Sequence, residues 1–172
     1  MALYKPTAEE LKEVLELHAK WARGEDGGKR ANMSNWDLSF ANLYSANLCS
    51  ADLRSAKNLS LPIACPDTGA FTAWKKCKLP NGSDCIVELL IPADAKRSSA
   101  TTRKCRCDKA EVVSITGMRG VSYKKAHSAR TICFVYEVGK TVSVPDFDED
   151  RWNECSTGIH FFITRQEAVD WQ

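Results

Sequence analysis

Between Lys96 and Lys104 the chain sets four basic residues and four hydroxyls in nine positions: Lys96, Arg97, Ser98, Ser99, Thr101, Thr102, Arg103 and Lys104, with Arg106 just beyond. Phosphate recognition uses this mixture. Arginine offers a planar fork of donors, lysine a compact charge, and serine and threonine short donors that fit between them. The run follows Pro92 and reads as an exposed loop. The same residues would equally suit a solvated, flexible basic stretch. A glycine-rich phosphate loop is missing, so a Walker-type nucleotide site is not expected. Farther along, Cys155 and His160 stand five apart with Ser156 and Thr157 between them. Those are ingredients of an activated thiol, yet no third group to orient the histidine is evident, and Gly158 before an apolar run reads as a turn. No catalytic residue is assigned.

Net charge is only +2, but it is unevenly spread. Ten Lys/Arg and two acids, Asp108 and Glu111, fall between Lys96 and Arg130, which leaves the rest of the chain net acidic. Such segregation points to a localised anion site rather than general coating of nucleic acid; a solvated basic face is the alternative. The eight cysteines never form C-x-x-C, and Cys105-x-Cys107 is too close for a zinc knuckle. With no signal peptide legible at the N-terminus, reduced thiols are expected, with no metal, no cofactor and a cytoplasmic setting. The longest apolar runs, 86–91 and 159–163, are strand-sized, so no membrane span is expected.

These groups must be carried by a few elements. Thr7 to Glu10 is a capping box opening a helix, with Leu11, Val14, Leu15, His18 and Ala22 on one face, Glu16 and Lys20 as an i,i+4 pair, and Gly24, Gly27 and Gly28 at its end. His18 on that stripe reads as a packed structural residue. Phe71–Leu79 and Asp84–Ile91, joined through Pro80-Asn81-Gly82-Ser83, read as a β-hairpin. Glu111–Thr116, Thr131–Val138, Thr141–Val144 and Ile159–Ile163 are further strands, and Thr164 to Glu167 is a second capping box opening a short helix. The expected division is 1–60 and 61–172, the latter one mainly antiparallel α+β ligand-binding domain.

Between helix and hairpin runs a period of five: Ala31-Asn32-Met33, Trp36-Asp37-Leu38, Ala41-Asn42-Leu43, Ala46-Asn47-Leu48 and Ala51-Asp52-Leu53, each followed by two residues. Neither helix nor strand has that period, and short fixed periods mark solenoids. The pattern resembles the pentapeptide-repeat family, A-(D/N)-L-x-x. The resemblance implies a right-handed, four-sided β-helix of about one coil, with Leu and Ala inward and Asn32, Asp37, Asn42, Asn47 and Asp52 making turn contacts. Trp36 departs from it and is expected at an open coil end or against a neighbouring domain. So short a piece must be capped, by the helix, the second domain or another subunit, and a homo-oligomer is expected.

IPADAKRSSATTRKCRC, FDEDRW and CSTGIHFFITRQEA resemble an uncharacterised domain that accompanies such repeats in bacteriophage proteins. GIHFFITRQEAVDW is similar to the glycine-led strand and helix of ADP-ribosyltransferases, which implies a nucleotide-contacting role at His160 or Phe161; their catalytic glutamate has no counterpart here. Together these readings lead to a non-enzymatic viral protein that binds a nucleotide or cyclic oligonucleotide and sequesters a host immune signal. A nucleotide-acting enzyme is the alternative. A DNA-mimicking topoisomerase inhibitor is a poorer one, because residues 31–57 hold only Asp37 and Asp52 against Arg54 and Lys57, so no contact with duplex DNA is expected.

Overall fold

The computed structural model describes residues 3–39, 41–43, 46–59 and 63–171. Phe40, Tyr44 and Ser45 of the repeats, and the expected boundary at 60–62, lie outside the described residues. Helix α1 (Ala8–Ala22) starts at the foreseen capping box, with Thr7 and Glu10 each satisfying the other's backbone amide. Leu11 and His18 are buried. His18 is structural: its Nδ1 accepts from the Ala31 amide (3.1 Å), and burial lowers its pKa. The Glu16–Lys20 pair does not form, and Glu16 faces Lys12 instead at 3.9 Å. Beyond α1 the chain folds back so tightly that a Cβ on Gly28 would lie 2.3 Å from the Trp21 nitrogen.

The five-residue period corresponds to a chain of tight turns, not to a β-helix. Among the described residues 31–59 contain no strand. The amides of Trp36, Ala41, Ala46, Ala51 and Ala56 donate to the carbonyls of Met33, Leu38, Leu43, Leu48 and Leu53, one turn per repeat. Side chains of Asn32, Asp37, Asn47 and Asp52 accept from the amide two residues on, at 3.1, 3.0, 2.9 and 3.2 Å. Asn35, Ser50, Ser55 and Asn58 take the left-handed conformation that lets the chain turn again. Met33, Leu38, Leu48 and Leu53 are buried, which gives the repeats their core. Among the described residues the repeats bridge one another at Asn32–Asp52 and Asp37–Lys57, and Trp36 bridges Tyr4, each an isolated parallel pair. The expected solenoid is therefore corrected: too few repeats overlap to build a ladder along any face. Trp36, expected at an open end or a domain contact, packs on Tyr4 (ring centroids 5.5 Å).

This N-terminal unit comprises 1–62 together with two short segments from later in the chain, Ala100–Thr102 and Glu149–Cys155. Ala100 and Trp152 enter its core, the Asp150 carboxylate accepts from the Ser55 amide (3.0 Å), and Glu154 accepts from Thr101 and Thr102. A hydrophobic centre this small gains most from such distant side chains.

The second unit is a mainly antiparallel body of two sheets with one short helix. Strands β1 (Phe71–Lys78) and β2 (Asp84–Ile91) form the expected hairpin, with Gly82 at positive φ in its turn. With β5 (Lys109–Gly117), β6 (Lys125–His127), β7 (Val135–Glu137) and β8 (Thr141–Ser143) they make a sheet of order β7-β6-β1-β2-β5-β8. The Gly139 amide donates to Val112 O and the Val112 amide to Lys140 O, so the β7–β8 corner folds onto β5 and the sheet curls around Val87, Leu89, Val112 and Tyr136. A smaller sheet, β3-β4-β9, consists of β3 (Arg97–Ser99), β4 (Cys105–Cys107) and β9 (Ile159–Phe161). Helix α2 (Arg165–Asp170) begins at its foreseen capping box and packs on β1 and β2, where Lys76 Nζ donates to the carbonyls of Val169 and Trp171.

All eight cysteines are thiols outside disulfides, five of them buried. Burial pushes Cys77 and Cys107 up to about 12 and Cys85 up to about 11, and the Cys65 thiol beside Cys105 pushes Cys105 up as well. At neutral pH these sulfurs stay protonated fillers of the core. No helix among the described residues is long and apolar enough to cross a membrane.

Candidate functional site: a cationic row on the small sheet

The basic run is not an exposed loop. Its two ends are β3 and β4, paired antiparallel with Ser98 opposite Arg106, and Ser98, Ser99 and Arg106 are buried. Strand β9 adds His160 opposite Arg106. Residues directly opposite across a sheet share a face, so Ser98, Arg106 and His160 form one row, while Ser99, Cys105, Cys107, Ile159 and Phe161 face the core.

Each member of the row is held by its surroundings. The Arg106 guanidinium lies over the Phe147 ring at 4.9 Å and its Nη1 donates to the carbonyls of Asp148 and Thr157. Gly158 makes room for it, since a Cβ there would sit 3.1 Å from the Arg106 Cβ. His160 Nε2 bonds the Ser156 carbonyl at 2.9 Å, so this ring nitrogen engages the backbone and not a thiol. Lys75 Nζ donates to the His160 carbonyl at 2.9 Å. Lys104 sits with its ammonium 5.2 Å from the Trp171 ring centre. Ser98 Oγ is buried and has no hydrogen-bond partner.

Burial dominates the electrostatics of this corner. Burial lowers His160 to about 4, and the charges that push the same way are Lys75, Lys104 and Arg106, all positive. Lys75 is lowered too, by burial first; Cys77 and Cys107 oppose the shift, and Arg130 and Lys104 add to it. Burial and three cations together keep the His160 ring neutral, while across Arg106 on β3 the buried Ser98 hydroxyl has no hydrogen-bond partner.

Other residues of the run go elsewhere. Arg97 donates to five backbone carbonyls, those of Ala95, Pro66, Gly69, Pro92 and Ala93, at 2.8–3.2 Å, and stacks on Phe71. It is a brace for the 63–70 and 92–95 segments, not the exposed phosphate contact its sequence context suggests. Ser99 Oγ accepts from the Ala64 amide on the core face. Arg103 pairs with Glu167 at the start of α2, and Thr101 and Thr102 belong to the N-terminal unit. Lys96 is exposed, ahead of β3. Sequence reasoning missed Lys75, whose only signal was a lysine at an inward position of an alternating strand.

Residues 61–168 match the model of a family of unknown function, DUF5758. The chain belongs to that family. No curated protein and no solved structure matches it. The DUF5758 region contains the whole cationic row, from Lys75 to His160, and α2 up to Ala168.

No cluster of three or more metal-ligating side chains occurs among the described residues. A groove of about 780 Å³, lined by Leu11, Leu15, Ala41, Ala46, Lys12 and Asp37 among others, lies in the N-terminal unit; no residue of the basic run borders it.

Proposed function

We propose that this protein is a non-catalytic binder of a phosphate-bearing ligand, a nucleotide or cyclic oligonucleotide, received at the Ser98–Arg106–His160 row with Lys75 and Lys104 beside it. The observation that carries this reading is the register that sets Ser98, whose buried hydroxyl has no hydrogen-bond partner, and His160 on either side of Arg106, with Lys75 Nζ on the His160 carbonyl. A phosphate would bring negative charge to these cations, accept from Ser98 Oγ, and draw Lys104 and His160 towards it. The buried thiols, held protonated by burial, supply no nucleophile to act on such a ligand. The resemblance to bacteriophage proteins adds a purpose: sequestration of a host nucleotide signal in the bacterial cytoplasm, by a protein that assembles as a homo-oligomer.

Calorimetry with inorganic phosphate, ADP-ribose and cyclic dinucleotides is the test. At least one should bind more tightly than about 100 μM, roughly −5.5 kcal/mol. Lys104→Ala should weaken that binding by about 1.5–3 kcal/mol, the worth of a charge-assisted contact. Weaker binding by every probe sinks the proposal. Mass spectrometry of the recovered ligand decides between capture and turnover: an altered product would transfer the row to an enzyme.

A further inference from the structure

Seven of the large apolar side chains exposed among the described residues fall between Val113 and Val138. Five of these gather at one corner of the curled sheet. Two turns meet there. The turn after β5 carries Met118 and Val121, 46% and 55% exposed, and is closed by the Gly117 amide on Val121 O and the Gly120 amide on Gly117 O. The β7–β8 turn carries Val138 and is fixed to β5 through Gly139, Lys140 and Val112, beside exposed Val113. The Val138 amide donates to Lys124 O and the Tyr123 amide to Ile115 O, which ties both turns to the segment entering β6. Arg119, Lys124 and Lys140 surround these apolar groups, and none of the three takes part in an ion pair among the described residues. Of the carboxylates near the corner, Glu137 is bridged to Lys125 at 3.0 Å and Glu88 accepts from Ser114 Oγ at 2.7 Å.

We infer that this corner docks on an anionic lipid surface. Aliphatic side chains at the tips of two adjacent turns gain by entering the apolar boundary below headgroups, while a rim of cations meets the negative charge above it. Tyr123, exposed at the base of the turn, suits the headgroup level. Other occupants fit less well. A two-fold pairing of this corner would press Arg119, Lys124 and Lys140 against their own copies. Protein interfaces are depleted in lysine, which supplies two of the three cations here. Single-stranded nucleic acid is gripped by stacked aromatics, and this corner offers one, its ring edge lying where a Cβ on Gly117 would touch it at 3.0 Å. That no described helix is long and apolar enough to span bears on crossing a bilayer, not on resting against one. None of these residues belongs to the His160 row, so the inference stands or falls separately from the proposed ligand site.

The test is co-sedimentation of the full chain with phosphatidylcholine vesicles, with and without about 30 mol % phosphatidylserine. Binding is expected to the anionic vesicles only and to weaken as salt rises. Each of Arg119→Ala and Lys124→Ala should lower partitioning by about five-fold, the factor that roughly 1 kcal/mol per basic residue corresponds to. Met118→Ser/Val121→Ser should lower it by more than ten-fold while leaving the melting temperature in place, since both side chains are solvent-exposed. Absence of binding to anionic vesicles, binding to neutral vesicles alone, or indifference to both sets of substitutions overturns the inference. Retention on polyglutamate or single-stranded DNA without vesicle binding overturns it also, and assigns the corner to a polyanionic macromolecule.

Discussion

The repeat turns and the small β3-β4-β9 sheet satisfy their polar groups over very different distances. In the turns, Asn32, Asp37, Asn47 and Asp52 each bond an amide two residues away, so every repeat closes on itself. In the small sheet, Arg106 reaches carbonyls 42 and 51 residues away, and Lys75 one 85 residues away. The turns are thus a local structure given a core by side chains from elsewhere, whereas the row exists only once the chain has folded. Residues of similar type take opposite roles accordingly: Arg54 pairs with Asp52 two positions back, while Arg97 and Arg106 brace backbone that arrives from elsewhere.

The largest effects should come from the hydrophobic interior that both regions depend on. Leu53→Ala removes a side chain 1% exposed and should destabilise by about 3–4 kcal/mol through a cavity, whereas Leu43→Ala, only half-buried, should cost about half as much; melting temperatures compare the two. Equal losses would mean that the repeats do not share one interior.

Arg97→Ala comes next, at about 3 kcal/mol, because five carbonyls lose their donor together. Urea unfolding reads the loss, and phosphate affinity should be unchanged. A stable variant with impaired affinity would return Arg97 to the ligand site.

A pH titration of stability probes the row itself. His160 is held neutral down to about 4 in the folded chain, while an unfolded histidine takes up its proton near 6.5. Between those values the unfolded state binds more protons, so stability is complete above about 6.5 and declines as pH falls towards 4. The separation corresponds to about 3 kcal/mol, trimmed by the ring's remaining solvent contact to about 2. His18, also lowered, adds to the loss in the same direction. His160→Gln should remove its share, and an unaltered pH profile in that variant would show that the ring titrates in the folded chain as it does in the unfolded one.

The smallest effect tests the local side of the contrast. Asn47→Ala deletes one exposed turn bond and should cost about 0.5–1 kcal/mol by thermal denaturation, with no change at the row. A loss several times larger would mean that the turns are cooperative, each needing its neighbours.

What the amino-acid order determined by itself is most of what is set within a few residues, the Glu16–Lys20 pair excepted. Both capping boxes form where Thr7–Glu10 and Thr164–Glu167 place them, because donor and acceptor lie three positions apart. The β1–β2 hairpin forms around Asn81-Gly82 for the same reason, and the five-residue period emerges as one turn per repeat. Whether those turns stack was not a local matter: a solenoid needs overlapping coils, and the described repeats bridge one another at two isolated pairs. The basic run reads as solvent-exposed because charge and hydroxyls imply water, yet β4 is a central strand and buries Arg106 to 2% exposure. Only tertiary pairing decided that Ser98, Arg106 and His160 would stand in one row, that Arg97 would face away from it, and that Lys75 would reach the His160 carbonyl. Strand pairing joins residues by register rather than by separation along the chain, and register is fixed by what the opposite face must bury.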